Sequence, residues 1–408
     1  MKPVSILVII SYLSALLSGC VSNTTGRSGV IVGPGDVRPV QIAKKAPDIQ
    51  RLEVIIPVMN PGLAKNPDDN EKKGIWPELR RAEANRFAVS LKTAMDKSAA
   101  FGAIRVTPNQ RATGDLYVLG KIIKSNGEDV EIAINVIDIS GRKWLKKTFK
   151  YRVKKSDFRK TRRNKDYDIY TPIFTNITKA IISKMKRKSA RYLATLPKIA
   201  EIRFAADFSK ETFAPYLKES RGRVSLKGLP AADDPMLKRI RAIRVRDQLF
   251  IDKLQNNYEN FNLAMNESYH DWQKQSWAES RAARKASGKS FLNGLLGVLA
   301  VGAAIAMASK SNGSNAATYG AVAAGTAGAM MISNSFQKSK EAKIHREALS
   351  ELGSSLDIQL ASQVMNFEKE TVKLTGNAAD QFSQWRKFLK KIYNQESGAA
   401  GQPQPDYY

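Results

Sequence analysis

The sequence predicts an α+β fold: a small mixed-sheet α/β domain, then a mostly α region with a long helix and an apolar hairpin of small-residue helices. Three observations carry this. Strand-period apolar runs alternate with helical ones through the first half of the chain, and an apolar stripe stepping by three and four runs from Ile240 to Trp272. Between Lys289 and Lys338 the only charged residue is Lys310, in a chain that is otherwise 25% charged.

In chain order, "LEVIIPVMN" is strand-like and is stopped by Pro61 and Gly62. Ala84, Phe87, Ala88, Leu91, Ala94 and Met95 then share one face of an amphipathic helix. "AIRVTP" and "DLYVLGKII" follow as strands. Val130, Ile132, Ile134 and Val136 alternate with mainly polar residues, and "DISGRKW" turns the chain into a strand with Leu145, Phe149, Tyr151 and Val153 in one parity, giving a hairpin with one buried face. A helix from Pro172 to Met185 closes the unit, so the expected order is strand, helix, strand, strand, strand, helix.

Residues 191–228 read as short helical and irregular pieces. "ADDPM" is a helix start, with Asp233 or Asp234 as cap and Pro235 in the first turn. Beyond it, Ile243, Phe250, Leu254, Tyr258, Phe261, Met265 and Tyr269 continue the stripe with only Asp247 interrupting, which implies a helix of about 45 residues or more. Such a helix needs a partner: the α/β domain, another subunit, or the segment from Glu341 to Leu352. "ETVKLTGNAADQFSQWRKFLKKI" reads as strand, Gly turn and helix, and slightly resembles the end of a BON module, a fold that binds lipid surfaces. The expected organisation is 1–19 signal, 20–47 tether, 48–190 α/β domain, 191–289 connecting segment and long helix, 290–337 hairpin, 338–394 helix-strand-helix, and 395–408 disordered tail.

The N-terminus has Lys2, an apolar run from Val4 to Leu17 too short to span a bilayer, and small residues after it, the pattern of a secretory signal. Leu17, Ser18, Gly19 and Cys20 resemble the lipobox of bacterial lipoproteins. The resemblance implies lipid on the Cys20 sulfur, Cys20 as mature N-terminus and, with Val21 rather than Asp following, the periplasmic face of the outer membrane. The alternative is an ordinary cleaved signal with a free cysteine. Cys20 is the only cysteine, so with lipid on it no thiol remains for a disulfide, a metal or nucleophilic catalysis.

The order of elements in the first domain, with "RFAVSLKTAMDKSAAFGAIRV", "ATGDLYVLGKI" and "VIDISGR", resembles the periplasmic α/β domain of the curli secretion lipoprotein, of the TolB N-terminal domain and of lipoprotein activators of penicillin-binding proteins. The resemblance implies a domain that binds partners or assembles and is not an enzyme. The transmembrane strands of the curli type have no counterpart in this sequence.

The formal net charge is +28, from 66 basic against 38 acidic side chains. In a cytosolic protein this would suggest nucleic acid; export removes that partner and leaves headgroups, lipopolysaccharide phosphates, cell-wall carboxylates and acidic proteins. The densest patch is Lys154, Lys155, Arg159, Lys160, Arg162, Arg163 and Lys165, read either as a solvated loop and helix end or as a binding patch.

The apolar stretch divides at "SKSNGSN" into segments of 18 and 17 residues, Phe291 to Ala308 and Ala316 to Ile332. Ala300, Ala304 and Ala308, with Gly302 and Ala306 alongside, and Gly320, Ala324 and Gly328 recur at four-residue spacing, which lets helix backbones approach closely. This resembles the glycine-zipper segments of some small outer-membrane lipoproteins. Membrane hairpin, buried hairpin and self-association surface all fit, and a membrane hairpin would bring its basic flanks to one headgroup surface.

Candidate chemistry is sparse. The two histidines, His270 and His345, lack metal-ligand spacing, and Glu128, Asp129 and Glu131 lie at a hairpin turn. The expectation is a non-enzymatic outer-membrane lipoprotein without cofactor or metal, a homo-oligomeric assembly component with an envelope protein partner. The alternatives are a regulator of a cell-wall synthase with the hairpin as core, and a cell-wall hydrolase.

Overall fold

The computed structural model describes residues 51–164, 167–294, 347–348, 350, 363–367 and 370–396. Among these, a five-stranded mixed sheet is the centre. Strand β1, Val54–Pro57, is followed by the short helix α1, Asp68–Lys72, and by α2, Pro77–Asp96. Then come β2, Ile104–Thr107, β3, Leu116–Ser125, β4, Asp129–Asp138, and β5, Lys143–Arg152. The spatial order is β2-β1-β3-β4-β5. β1 pairs in parallel with both β2 and β3, and the other pairs are antiparallel.

The burial of each strand follows its pattern. All four residues of β1 are buried, as expected of an unbroken apolar run in an interior strand covered on both faces. Along β4, buried Val130, Ile132, Ile134 and Val136 alternate with half-exposed residues, so that strand has one covered face. Helix α4, Thr171–Met185, packs with α2 on that face, where Phe87 meets Phe174 and Tyr170 edge-on at 5.4 and 5.8 Å.

Some segments differ from the sequence expectation. The basic patch forms a helix, α3, Lys155–Arg163, begun by Asp157, whose carboxylate accepts the Lys154 N–H at 2.9 Å. Residues expected to be irregular form α5, Ala190–Phe208, a continuous helix despite Pro197 inside it. Burial of Leu193, Leu196, Ile199, Phe204 and Phe208 supplies the contacts that offset the hydrogen bond a mid-helix proline removes. After α6, Lys210–Phe213, a small hairpin of β6, Leu217–Ser220, and β7, Arg223–Leu226, turns at Arg221 and Gly222. Both have positive φ, as a two-residue hairpin turn with right-handed strand twist requires.

The long helix α7, Pro235–Gly294, has 60 residues, about 90 Å at the standard rise. Asp234 caps it, accepting the N–H groups of Met236 and Leu237 at 2.8 and 3.0 Å. Its buried stripe lies against α2, β2, α5 and the C-terminal helix α8, Ala378–Glu396, so its described partners are the α/β domain and the end of the chain. Gln255 closes the edge of β2: its amide donates to the Val106 carbonyl at 2.7 Å and its oxygen accepts the Val106 N–H at 2.9 Å. The opposite edge, β5, exposes Lys143, Lys146, Lys147 and Lys150, charges that discourage edge-to-edge pairing. The hairpin β8, Gln363–Phe367, and β9, Glu370–Leu374, precedes α8, with Gly376 at φ +90° making the sequence-expected turn.

Candidate functional site

Of the residues singled out in the sequence, Leu17, Ser18, Gly19 and Cys20 lie outside the described residues, as do Ala300, Gly302, Ala304, Ala306, Ala308, Gly320, Ala324, Gly328 and Lys165. The rest of the basic patch is placed. Lys154 precedes α3, and Lys155, Arg159, Lys160, Arg162 and Arg163 lie on it; Lys154, Lys155, Arg159 and Arg163 are exposed.

Helix α3 is fixed by one apolar residue and one acid. Phe158 meets the Trp277 ring of α7 at 5.1 Å, and the Trp277 indole N–H donates to the Val153 carbonyl at 3.3 Å. Asp157 accepts from the Tyr151 hydroxyl at 2.6 Å, tying α3 to β5. The same part of α7 adds cations: the Arg281 guanidinium lies 5.0 Å from the Trp277 ring centroid, and Arg284 pairs with buried Glu128 at 2.5 Å. Ser280 donates to the Asn126 carbonyl at 2.9 Å, and a Cβ on Gly127, at φ +79°, would lie 2.6 Å from Ser276 and from the Trp277 nitrogen. The fold therefore brings the α3 cations near Arg281 and Arg284 of α7.

Between α2, the β3–β4 turn, α4 and α7 lies a buried polar junction. Arg86 donates to Asp168 at 3.1 and 2.9 Å and to Asn266 Oδ1 at 2.7 Å, and stacks over the Tyr269 ring at 4.5 Å. Burial pushes the Asp168 carboxyl up, but Arg86, the Tyr170 N–H, His270 and Gln273 outweigh it and hold the group below its ordinary value. Burial and Arg86 keep His270 below the usual histidine range; its Nε2, 3.4 Å from Arg86, is placed to accept. Glu83 accepts from Ser125 at 2.5 Å and from Tyr269 at 2.8 Å. Burial nevertheless raises its pKa, offset only in part by Arg80 and these donors. The junction joins four elements, and its groups face one another, a structural arrangement.

A second region, unmarked in the sequence, is a cleft of about 430 Å³ between the β2–β3 loop, α5 and α8. Its wall includes Tyr117, Ile139, Phe204, Phe208 and Phe382. Its charged lining is Arg111, Arg203, Arg386, Lys387 and Lys390, with Asp207 the single carboxylate. No sequence signal pointed to it, because its lining comes from three segments that only the fold brings together. Beneath it, Asp247 is buried and pairs with Arg386 at 3.0 Å. Burial raises the Asp247 carboxyl, with Arg386 and Arg244 opposing. Asp115, which accepts the Glu53 N–H at 2.8 Å, is pushed by burial to about 7.

Among the described residues there is no group of three or more His, Cys, Asp or Glu placed to hold a metal ion, and no helix long and apolar enough to cross a membrane. No family model matches the chain, and neither a curated protein nor a solved structure matches it.

Proposed function

We propose that this chain is a non-enzymatic, outer-membrane lipoprotein that works as a structural or assembly component of an envelope complex. Lipid on Cys20 holds it to the membrane, its α/β domain binds an envelope protein, and the Gly/Ala-rich hairpin inserts or self-associates as a homo-oligomer. The sequence supports the anchor and the hairpin. The observation that carries the membrane-facing part is the contact of Phe158 with Trp277, which seats the basic α3 against the later half of α7. A cationic surface is what an anionic headgroup layer attracts, at about 1 kcal/mol per basic residue near the surface.

Vesicle flotation of a Cys20→Ala chain tests this. Binding to phosphatidylglycerol vesicles, weak on phosphatidylcholine, is expected to fall in an Arg159→Glu/Arg163→Glu variant and to weaken with salt. Equal flotation of variant and parent would remove α3 from the reading.

A further inference from the structure

We infer that the cleft between the β2–β3 loop, α5 and α8 binds a small organic phosphate, with the phosphate at its cationic rim and an apolar or aromatic portion against its wall. Its charges divide into two groups. Arg386 is neutralised and fixed: it pairs with Asp247 at 3.0 Å and Asp207 at 3.3 Å, and lies 4.9 and 5.5 Å from the Phe204 and Phe208 ring centroids. It holds Asp207, the only carboxylate in the lining, by an ion pair. Arg111, Lys387 and Lys390 are exposed and make no salt bridge among the described residues. Arg203 is oriented by its bond to the Ile139 carbonyl at 2.7 Å and shares the field of Asp207 with Arg386 and Lys390.

Four cations from three elements thus converge on one hollow whose single carboxylate, Asp207, they share with Arg386. Their mutual repulsion is relieved by a counter-anion, and a concave surface concentrates their field. A phosphate suits the rim better than a single carboxylate. It carries up to two charges and presents oxygens in several directions, whereas a carboxylate offers one charge and two coplanar oxygens. The aromatic wall supplies apolar contact beyond the charge, and the volume of about 430 Å³ lies within the range of small-molecule sites. The cleft is also remote from α3. Asp247 below it and Trp277 beside α3 are 30 positions apart on α7, about 45 Å of helix, so the two surfaces can be perturbed separately.

The test is calorimetric titration of the full chain, in non-ionic detergent, with phenyl phosphate and with dihexanoyl phosphatidic acid below its micellar concentration. Saturable binding of at least one probe, weakened about tenfold or more in a Lys387→Gln/Lys390→Gln variant that keeps the parent's melting temperature, is the expected result. The tighter of the two probes identifies the source of the phosphate, soluble ester or lipid headgroup. An Arg203→Gln variant provides a second reading from another element and is expected to weaken the same probe. Absence of saturable binding by the parent, or equal binding by parent and variants, would overturn the inference. Vesicle flotation is expected to be unchanged in these variants, so failure here is distinct from failure of the α3 surface.

Discussion

Replacing Arg86 by Met tests whether the buried polar junction locks α7 to the α/β domain. The guanidinium is 6% exposed at the side chain and serves Asp168, Asn266 and the Tyr269 ring together. Met fills similar length but leaves Asp168 buried without a permanent cation, with the Tyr170 N–H and the Gln273 amide at 2.8 and 3.1 Å and His270 nearby. Breaking a buried pair by removing one partner costs about 3–5 kcal/mol. For a domain of this size that is a fall of about 6–10 °C in melting temperature. The pH dependence gives the sign. In the parent the lowered Asp168 pKa contributes stability above the unfolded value, about 3.9, which is lost as pH falls through the folded value. In the variant, burial dominates and raises that pKa, so the carboxyl is tolerated protonated and penalised as pH rises. The difference between parent and variant should therefore be largest near neutral pH and shrink toward about pH 3.5. Urea unfolding at several pH values measures it. Adding Asp168→Leu should recover much of the loss, because an apolar pair leaves no uncompensated charge. A loss below about 1 kcal/mol, or one independent of pH, would refute the account of the junction.

Gln255→Ala removes both bonds to Val106 and leaves a buried backbone pair at the β2 edge without partners, with an expected loss of about 1–3 kcal/mol in urea unfolding. Gly127→Ala meets both a positive φ and α7 at 2.6 Å; it should destabilise by about 2 kcal/mol or more and free the Trp277 environment, read by tryptophan fluorescence. Asp115, with its carboxyl raised to about 7, contributes stability that is complete below the unfolded carboxyl value and lost as pH rises through about 7. An Asp115→Asn variant should therefore show a flatter stability curve between about pH 4 and 7 than the parent.

Periodicity made the sheet and the long helix legible. Alternation along Val130–Val136 fixed the covered face of β4, and Asp234 with Pro235 marked the start of α7. What periodicity could not convey was the partner of a polar residue within a stripe. Asp247 interrupts the apolar face because it answers Arg386, 139 positions away. Pro197 hid α5, since a mid-helix proline is a break signal unless tertiary burial overrules it. The β6–β7 turn was missed because Arg-Gly lacks the usual Asn-Gly or Asp-Gly signature. The basic patch was visible as composition, but its attachment to α7 rests on Phe158 and Trp277, two aromatics far apart in sequence. The cleft was invisible for the same reason: its cations come from separate segments, each of which reads as an ordinary solvated surface.

The central claim is membrane attachment by two devices, lipid on Cys20 and the small-residue hairpin. The most direct measurement exports a Cys20→Ala chain behind a conventionally cleaved signal and fractionates the periplasm from membranes washed with salt and alkali. The account predicts retention in the membrane fraction that is lost only when residues 290–337 are also deleted. A folded protein released into the periplasm with residues 290–337 intact would contradict it.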